Sequence, residues 1–246
     1  MIKFFRKIRQ KLLSENKFSK YLIYAIGEII LVVIGILIAL QINQNAENKK
    51  TDKTRHDYYI QLLEDLNNDR QFVNETIAHF QSDQDAYNEY LKTYENTELS
   101  PKQVYEHLMS LSIYSTTLSF NSNTIESLRS SGEIILFPLS IRNKLINLLR
   151  FQDNILKNVQ LNDTGKNNMV QELGIYRGAS TLDSRLEKQP KLKSYLEFDE
   201  NIPQIILGLD AVVKWKNYSE NSSMTQLKLI LKEIEAVINL IELEIK

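Results

Sequence analysis

The side chains that most often do chemistry are few and scattered in this sequence. His56, His79 and His107 lie far apart, without the four-residue spacing that brings two histidines together on a helix as metal ligands. The sequence contains no cysteine, no HExxH motif, no P-loop and no GxGxxG motif. Residues 130–132, Ser-Ser-Gly, lack the G-x-S-x-G turn of a hydrolase and are better suited to a helix end. We therefore predict no catalytic, cofactor-binding or metal site, and no enzyme.

One carboxylate has unusual surroundings, because Glu28 lies inside an apolar stretch that runs from residue 21 to residue 42. A carboxylate inside a bilayer costs free energy unless it is paired, hydrated or neutral, so it is a candidate functional group, for example in proton coupling. Glu28 lies near the basic end of the stretch, however. It could instead reach the headgroups, pair with Lys17 or Lys20, or join two copies of the helix.

Small residues follow the same stretch at helical spacing. Gly27, Gly35 and Ala39 lie along one helical face with Leu31, and Glu28 flanks that face. A small-xxx-small spacing permits two membrane helices to approach closely. These residues are a candidate helix-packing face, and a homo-oligomer through the span and the bundle is one expected partnership.

Tyrosine is common in the first half of the remaining chain. Tyr87, Tyr90 and Tyr94 share one face of a predicted helix, and tyrosine suits interfaces because its ring is apolar and its hydroxyl can stay wet. The three residues are a candidate partner surface. Packing into the core, with the hydroxyls at its rim, is the alternative.

The elements that must position these residues are helices. The 246 residues include only seven Gly and four Pro, which disfavours turn-rich β folds and favours long helices. The fold class we predict is all-α: one N-terminal transmembrane helix followed by an elongated antiparallel helical bundle. The predicted parts are a basic amphipathic cytoplasmic head, 1–20, a transmembrane helix, 21–42, a polar neck, 43–53, and a bundle, 54–246.

The charge distribution indicates the compartment. Residues 1–20 hold seven basic residues and one glutamate, whereas the chain beyond residue 42 is mildly acidic, which is typical of an anchored protein and not of a nucleic-acid binder. The head is long for a cleaved signal peptide and no small-x-small cleavage site follows, so we predict an uncleaved signal-anchor. The positive-inside rule then predicts a cytoplasmic N-terminus and a periplasmic C-terminal domain in a bacterial inner membrane. The head, with Phe4, Phe5, Ile8 and Leu12 on one face, is expected to lie along the inner leaflet.

Apolar periodicity predicts three long helices in the bundle. The first follows Tyr59 to Tyr94 without Gly or Pro and could continue the membrane helix nearly rigidly, with polar Asp69 and Gln84 filling gaps in its stripe. The second runs from Ser140 toward Leu173, and the last repeats three-four spacing from Met224 to Ile245 and begins before Leu209.

Shorter elements join these helices. Ser100 and Gln103 form a capping box, with Pro101 as the first helical residue, for a helix to about Ser112. A loop, with a short extended piece at Thr117–Phe120, leads to a helix that begins at Asn123 or Thr124 and that Gly132 ends in the left-handed conformation. Residues 174–203 are predicted to be a connection with at most short elements.

Two segments carry a family resemblance. The stretch GEIILVVIGILIALQI, from Gly27 to Ile42, and the LRSSG at 128–132 resemble the domain of unknown function 6090, a family of single-span membrane proteins from flavobacteria and their relatives. The resemblance covers essentially the full length, although relatives tend to have Asn-Trp-x-Glu after the span, where this chain has Asn43, Gln44 and Asn45 before Ala46 and Glu47. It implies a bacterial membrane protein and supplies no activity, catalytic residue or cofactor.

Two functions remain open from the sequence. The first is a membrane-anchored periplasmic bundle that acts as a binding, sensor or scaffold module, with the lipid bilayer and a protein as its partners and without catalysis. The second is an accessory subunit of a proton- or transport-coupled inner-membrane complex that uses Glu28.

Overall fold

The computed structural model describes residues 6–7, 10, 18–95, 98–178 and 181–246. The amphipathic head was predicted from Phe4, Phe5, Ile8 and Leu12, which lie outside the described residues. The chain divides into two compact units, Met1–Asp57 and Tyr58–Lys246. The described residues are helical or irregular and include no strand, so the predicted all-α class is confirmed.

Helix α1, Phe18–Thr93, is long and apolar enough at its N-terminal end to cross a membrane. Its most apolar 18-residue window has a mean hydropathy of 2.7, and none of that window is buried. The residues predicted as a polar neck, 43–53, are helical within α1, where Gln44 donates a hydrogen bond of 3.1 Å to Asn48.

Three shorter elements follow α1 in the second unit. Helix α2, Pro101–Ser110, begins with the predicted capping box: Gln103 N donates to Ser100 Oγ, and Ser100 N donates to the Gln103 side chain. Residues 111–122, called the strap below, are irregular and contain no strand at Thr117–Phe120. Helix α3, Asn123–Ser131, ends at Gly132 with φ +79°, as predicted, and a 3₁₀ helix, Glu133–Leu136, follows.

Helix α4 spans Leu139–Arg177, and the short helices α5, Leu182–Leu186, and α6, Pro190–Tyr195, lie in the predicted connection. A second 3₁₀ helix, Phe198–Asn201, precedes α7, Ile202–Ile245. The last helix begins before Leu209, as its stripe of apolar residues predicts.

Contacts between side chains show the relative directions of the long helices in the second unit. Asp69 pairs with Gln152 and Asp83 with Lys216, while Lys144 of α4 meets Glu233 of α7. Helices α1 and α4 therefore run in the same direction, and α7 is antiparallel to both. The segment that comprises α2, the strap and α3 runs back from the end of α1 to the start of α4. The consecutive parts of the bundle therefore alternate in direction.

Two groups of buried apolar side chains stabilise this unit. The first core is formed by α1, the α3–3₁₀ segment, α4 and the C-terminal half of α7; its fully buried members include Leu62, Leu128, Leu145, Leu148, Leu227 and Ile234. The second core is formed by the C-terminal ends of α1 and α4, by α2, α5 and the second 3₁₀ helix, and by the start of α7; its members are Tyr87, Tyr90, Val104, Tyr105, Leu108, Leu173, Leu186, Phe198, Ile205, Leu209 and Val213. Burial of one large apolar side chain contributes about 1.5–3 kcal/mol, so both groups stabilise the bundle.

Candidate functional site

The predicted packing face of the apolar segment is open in the structure. Gly27, Gly35 and Ala39 are exposed on α1, and a Cβ placed on either glycine would meet nothing within 4 Å. Glu28 is partly buried on the same helix. The open space around the two glycines would let another helix approach closely, so the packing face stays a prediction.

The histidines lie on different faces and helices. His56 and His79 are exposed on α1, and His107 is partly buried on α2. In the part of the chain that the structure describes, no group of three or more His, Cys, Asp or Glu side chains is arranged to hold a metal ion. The Ser-Ser-Gly at 130–132 forms the C-terminal end of α3, where Gly132 has the left-handed conformation predicted for it.

The three tyrosines of the predicted partner surface divide between core and solvent. Tyr87 and Tyr90 are buried in the second core, whereas Tyr94 is half exposed. The Tyr90 hydroxyl donates to Asp210 Oδ1 at 2.9 Å and lies 2.7 Å from the Tyr94 hydroxyl. Burial, followed by these hydrogen bonds, raises the pKa of Tyr90, which keeps its hydroxyl protonated. Of the three tyrosines, Tyr94 alone presents its ring to solvent.

A band of charged side chains that no sequence pattern predicted lies between the two cores. We call it the polar layer. Its members come from α1, α4 and α7: Asp83, Asp163, Lys166, Lys216 and Glu220. On each long helix the polar layer falls between residues of the first core and residues of the second core.

Lys216 connects two of the carboxylates. Its Nζ donates to Asp83 Oδ2 at 2.5 Å and lies 2.7 Å from Glu220 Oε1, and only 6% of its side chain is exposed. Although that second distance is short, its geometry is not that of a hydrogen bond, and Glu220 Oε1 receives none from the described residues. The single positive charge of Lys216 is therefore shared between Asp83, to which it donates a hydrogen bond, and Glu220, which it attracts by proximity.

Lys166 is the second buried cation, with 3% of its side chain exposed. It donates to Ser115 Oγ of the strap, and Ser115 donates in turn to Asp163 Oδ1 at 2.5 Å. Burial lowers the pKa of Lys166, and the nearby Asp163 carboxylate, 3.9 Å away, partly offsets that effect. Ser115 therefore fastens the strap over the polar layer.

The indole of Trp215 covers α4 beside the polar layer. A Cβ on Gly165 would lie 3.3 Å from the Trp215 ring, so a small residue lets the two helices approach here. Trp215 Nε1 donates to the Asn162 carbonyl at 3.0 Å.

Two cavities of about 20 Å³ each border the polar layer, and Lys216 and Glu220 line both. Ser219 and Ser223 line one of them. Each has room for about one water molecule among polar side chains. The arrangement can hold water and exchange protons, but it has no room for an organic substrate.

Asp69 forms a separate buried polar contact within the first core. It accepts hydrogen bonds from Asn121 N and Asn121 Nδ2, both at 2.8 Å, and from Gln152 Nε2 at 2.9 Å. Burial raises the pKa of Asp69, and the hydrogen bonds oppose that change. Asp69 thus fastens the end of the strap to α1 and α4.

The sequence contained a weak signal for the polar layer. Lys216 and Glu220 have the four-residue spacing of a helical ion pair, which usually marks a solvated face. Polar residues interrupt the apolar stripes near Asp83 and Ser219, but only the packed helices show that these interruptions fall at one level.

Comparisons with known proteins place the chain in a family. The model of a family of unknown function, DUF6090, matches residues 28–194, which is more than half of the chain. Searches of curated proteins and of solved structures found no significant match. The matched range begins in the apolar segment and includes Asp83, Asp163 and Lys166 of the polar layer. The chain belongs to the DUF6090 family.

Proposed function

We propose that this protein is a membrane-anchored helical module that binds a protein partner in the periplasm and has no catalytic activity of its own. The observation that carries the proposal is the contrast between its two units. The first unit contains an apolar helical segment whose residues are not buried, and the second contains a bundle with two cores of its own.

The support for a membrane anchor is the exposure of apolar side chains along the N-terminal part of α1. Nearly every large apolar residue between Leu22 and Ile42 is about half exposed or more, a run that soluble proteins rarely present to water. A stretch of about 20 apolar residues matches the hydrocarbon thickness of a bilayer. The basic residues before it support a cytoplasmic N-terminus.

The partner surface that we favour lies at the end of the bundle that carries the second core. We call it the end patch; its residues are Ile175, Tyr176, Leu192, Tyr195 and Leu207. Tyr195 and Ile175 are more than four-fifths exposed, and α6 contains no buried residue among those described.

Contacts beneath the end patch bring its helices together. Leu173 of α4 packs against Gly208 of α7, where a Cβ would lie 2.6 Å from Leu173 Cδ1. The 3₁₀ helix 198–201 contacts α4, α6 and α7. An apolar surface built on these contacts suits a protein partner with a complementary apolar face.

Site-specific crosslinking tests the partner proposal. A photoreactive amino acid at Tyr195 of the full-length protein in native membranes is expected to give a discrete crosslinked species. The same amino acid at Lys228, an exposed position elsewhere on α7, is the matched control and should give none. When the substitution Leu207→Asp is added to the variant with the photoreactive amino acid at Tyr195, the crosslinked species should disappear. Equal products at both positions, or none at Tyr195, would contradict the proposal.

The absence of cysteine from the sequence makes the orientation directly measurable. Single-cysteine variants Gln10→Cys and Ser110→Cys can be labelled with a maleimide that does not cross the inner membrane. The Ser110→Cys variant should react in cells whose outer membrane is permeable, and the Gln10→Cys variant only after lysis. The reverse pattern would overturn the orientation.

The position of Glu28 in the apolar segment supports the alternative of an accessory subunit in a proton- or transport-coupled complex. Glu28→Gln separates the two functions. It should leave the Tyr195 crosslink intact if the protein is a binding module, and abolish assembly or activity of the complex if Glu28 carries protons.

A further inference from the structure

The polar layer carries an unequal number of opposite charges. Three carboxylates, Asp83, Asp163 and Glu220, face two ammonium groups, Lys166 and Lys216. No member has more than 30% of its side chain exposed. Where water is scarce, one uncompensated negative charge is costly, and uptake of one proton removes it.

Among the residues that the structure describes, the other groups that face the layer do not supply a buried counter-charge. His79 of α1 lies 3.8 Å from Asp83 Oδ2, but more than half of its side chain is exposed. The strap contributes the uncharged Ser115 hydroxyl, and Ser219 and Ser223 of α7 add hydroxyls to the cavity beside Glu220.

We propose that the polar layer is a proton-linked junction, in which packing of the first and second cores against each other takes up one proton that resides mainly on Glu220. The linkage needs no partner and is independent of the end patch.

Glu220 is the best proton acceptor of the three carboxylates on geometric grounds. Asp83 and Asp163 each accept a hydrogen bond of 2.5 Å, from Lys216 and Ser115, and are 20% and 30% exposed. Glu220 is only 10% exposed, and its buried Oε1 accepts no hydrogen bond from the described residues. A protonated Glu220 could donate to a water in the adjoining cavity or to a serine hydroxyl.

The direction of the pKa of Glu220 agrees with this assignment. Burial raises it, and the nearby Lys216 opposes the rise. A carboxyl whose pKa is higher in the packed state than in water binds a proton more tightly when packed. Acidification through that pKa therefore favours the packed junction, and a rise in pH favours its opening. The lowered pKa of Lys166 has the opposite sign, because it favours the packed state as the pH rises from that lowered pKa to the ordinary pKa of lysine.

Hydrogen exchange of the full-length protein in detergent micelles or nanodiscs tests the linkage. Peptides that cover residues 80–90, 159–170 and 211–224 are followed from pH 8.5 to pH 4.5, the ordinary pKa of a glutamate side chain, with correction for the pH dependence of chemical exchange. In the wild type, the opening equilibrium of these peptides should fall with acidification, by at most about tenfold per pH unit for one proton. A flat wild-type profile would overturn the proposal without the need for any variant.

Three variants identify the group that carries the proton. Glu220→Gln should be insensitive to pH and as protected at pH 8.5 as the wild type is at pH 4.5. His79→Gln should keep the wild-type profile, and so should Glu233→Gln, which removes a partly buried ion pair with Lys144 in the first core. A pH-dependent Glu220→Gln protein, or a flat His79→Gln protein, would contradict the assignment to Glu220.

Discussion

The first and second cores use the same three long helices but are completed in different ways. In the first core, aliphatic residues at three- and four-residue spacing pack helix against helix, and 22 described side chains are buried. In the second core, 11 are buried, and α2, α5 and the 3₁₀ helix at 198–201 supply five of them: Val104, Tyr105, Leu108, Leu186 and Phe198. The difference indicates that the first core is the main source of stability, and that the second core depends on short elements that could not fold alone.

The largest expected effects come from truncating one leucine in each core. Leu148 and Leu108 are both fully buried, and Leu→Ala at such a site costs about 2–5 kcal/mol. Leu148→Ala should lower the free energy of unfolding of the whole bundle, because every long helix contributes to the first core. Leu108→Ala should mainly destabilise the second core.

Denaturant titration of the full-length protein in detergent, with hydrogen exchange at the midpoint, separates the two cases. Leu108→Ala should raise exchange in α2 and at the start of α7 and leave α3 protected. If both variants shift one common transition equally, the two cores form a single cooperative unit and the distinction between them fails.

The second prediction concerns Asp69, the polar residue inside the first core. Asp69→Ala removes the carboxylate that accepts three hydrogen bonds. Gln152 Nε2, Asn121 N and Asn121 Nδ2 then lose that acceptor. Because buried donors that lose their acceptor cost about 1–3 kcal/mol, we expect a loss of that size in the free energy of unfolding. Glu75→Ala, on the exposed face of α1, is the matched control and should change stability by less than about 0.5 kcal/mol. Equal effects of the two variants would show that the Asp69 contacts do not stabilise the core.

Sequence patterns predicted the first core far better than the second. The stripe on α7 placed Leu227, Ile234 and Ile241 correctly, and the stripe on α1 did the same for Leu62 and Leu66. Such patterns are local, because one helical period decides which face is buried. The α7 stripe missed Ile230 and Val237, which are buried because α7 packs against both α1 and α4.

The second core and the polar layer could not be predicted, because both depend on contacts between distant residues. Lys216 and Asp83 are 133 positions apart, and nothing near either residue specifies the other. Tyr94 and Leu91 continue the α1 stripe in sequence but are about half exposed, since the core they were expected to join ends before them. The short helices in residues 174–203 bury Leu186 and Phe198 singly, without a period that could be recognised.

The third prediction compares two glycines, one near each core. Gly132 has φ +79°, where any other residue is strained, so Gly132→Ala should cost about 1 kcal/mol. Gly174 lies inside α4 with open space around it, so Gly174→Ala should stabilise the protein by about 0.4–1 kcal/mol through a less flexible unfolded chain. Thermal denaturation of the two variants should therefore move the midpoint in opposite directions. A stabilising Gly132→Ala would show that the left-handed turn does not hold α3 in place.

The smallest expected effect comes from the capping box of α2, which tests how far the second core depends on its short helices. Ser100→Ala removes the acceptor of Gln103 N, and the loss of an N-cap typically costs about 1 kcal/mol, with exposed caps at the low end. Because α2 supplies Val104, Tyr105 and Leu108 to the second core, its fraying should loosen that core without affecting the first. Hydrogen exchange should rise in residues 101–110 and around Leu209. Ser100→Asp, which keeps an acceptor at the cap, should restore protection, and failure of this rescue would assign the effect of Ser100→Ala to something other than the cap.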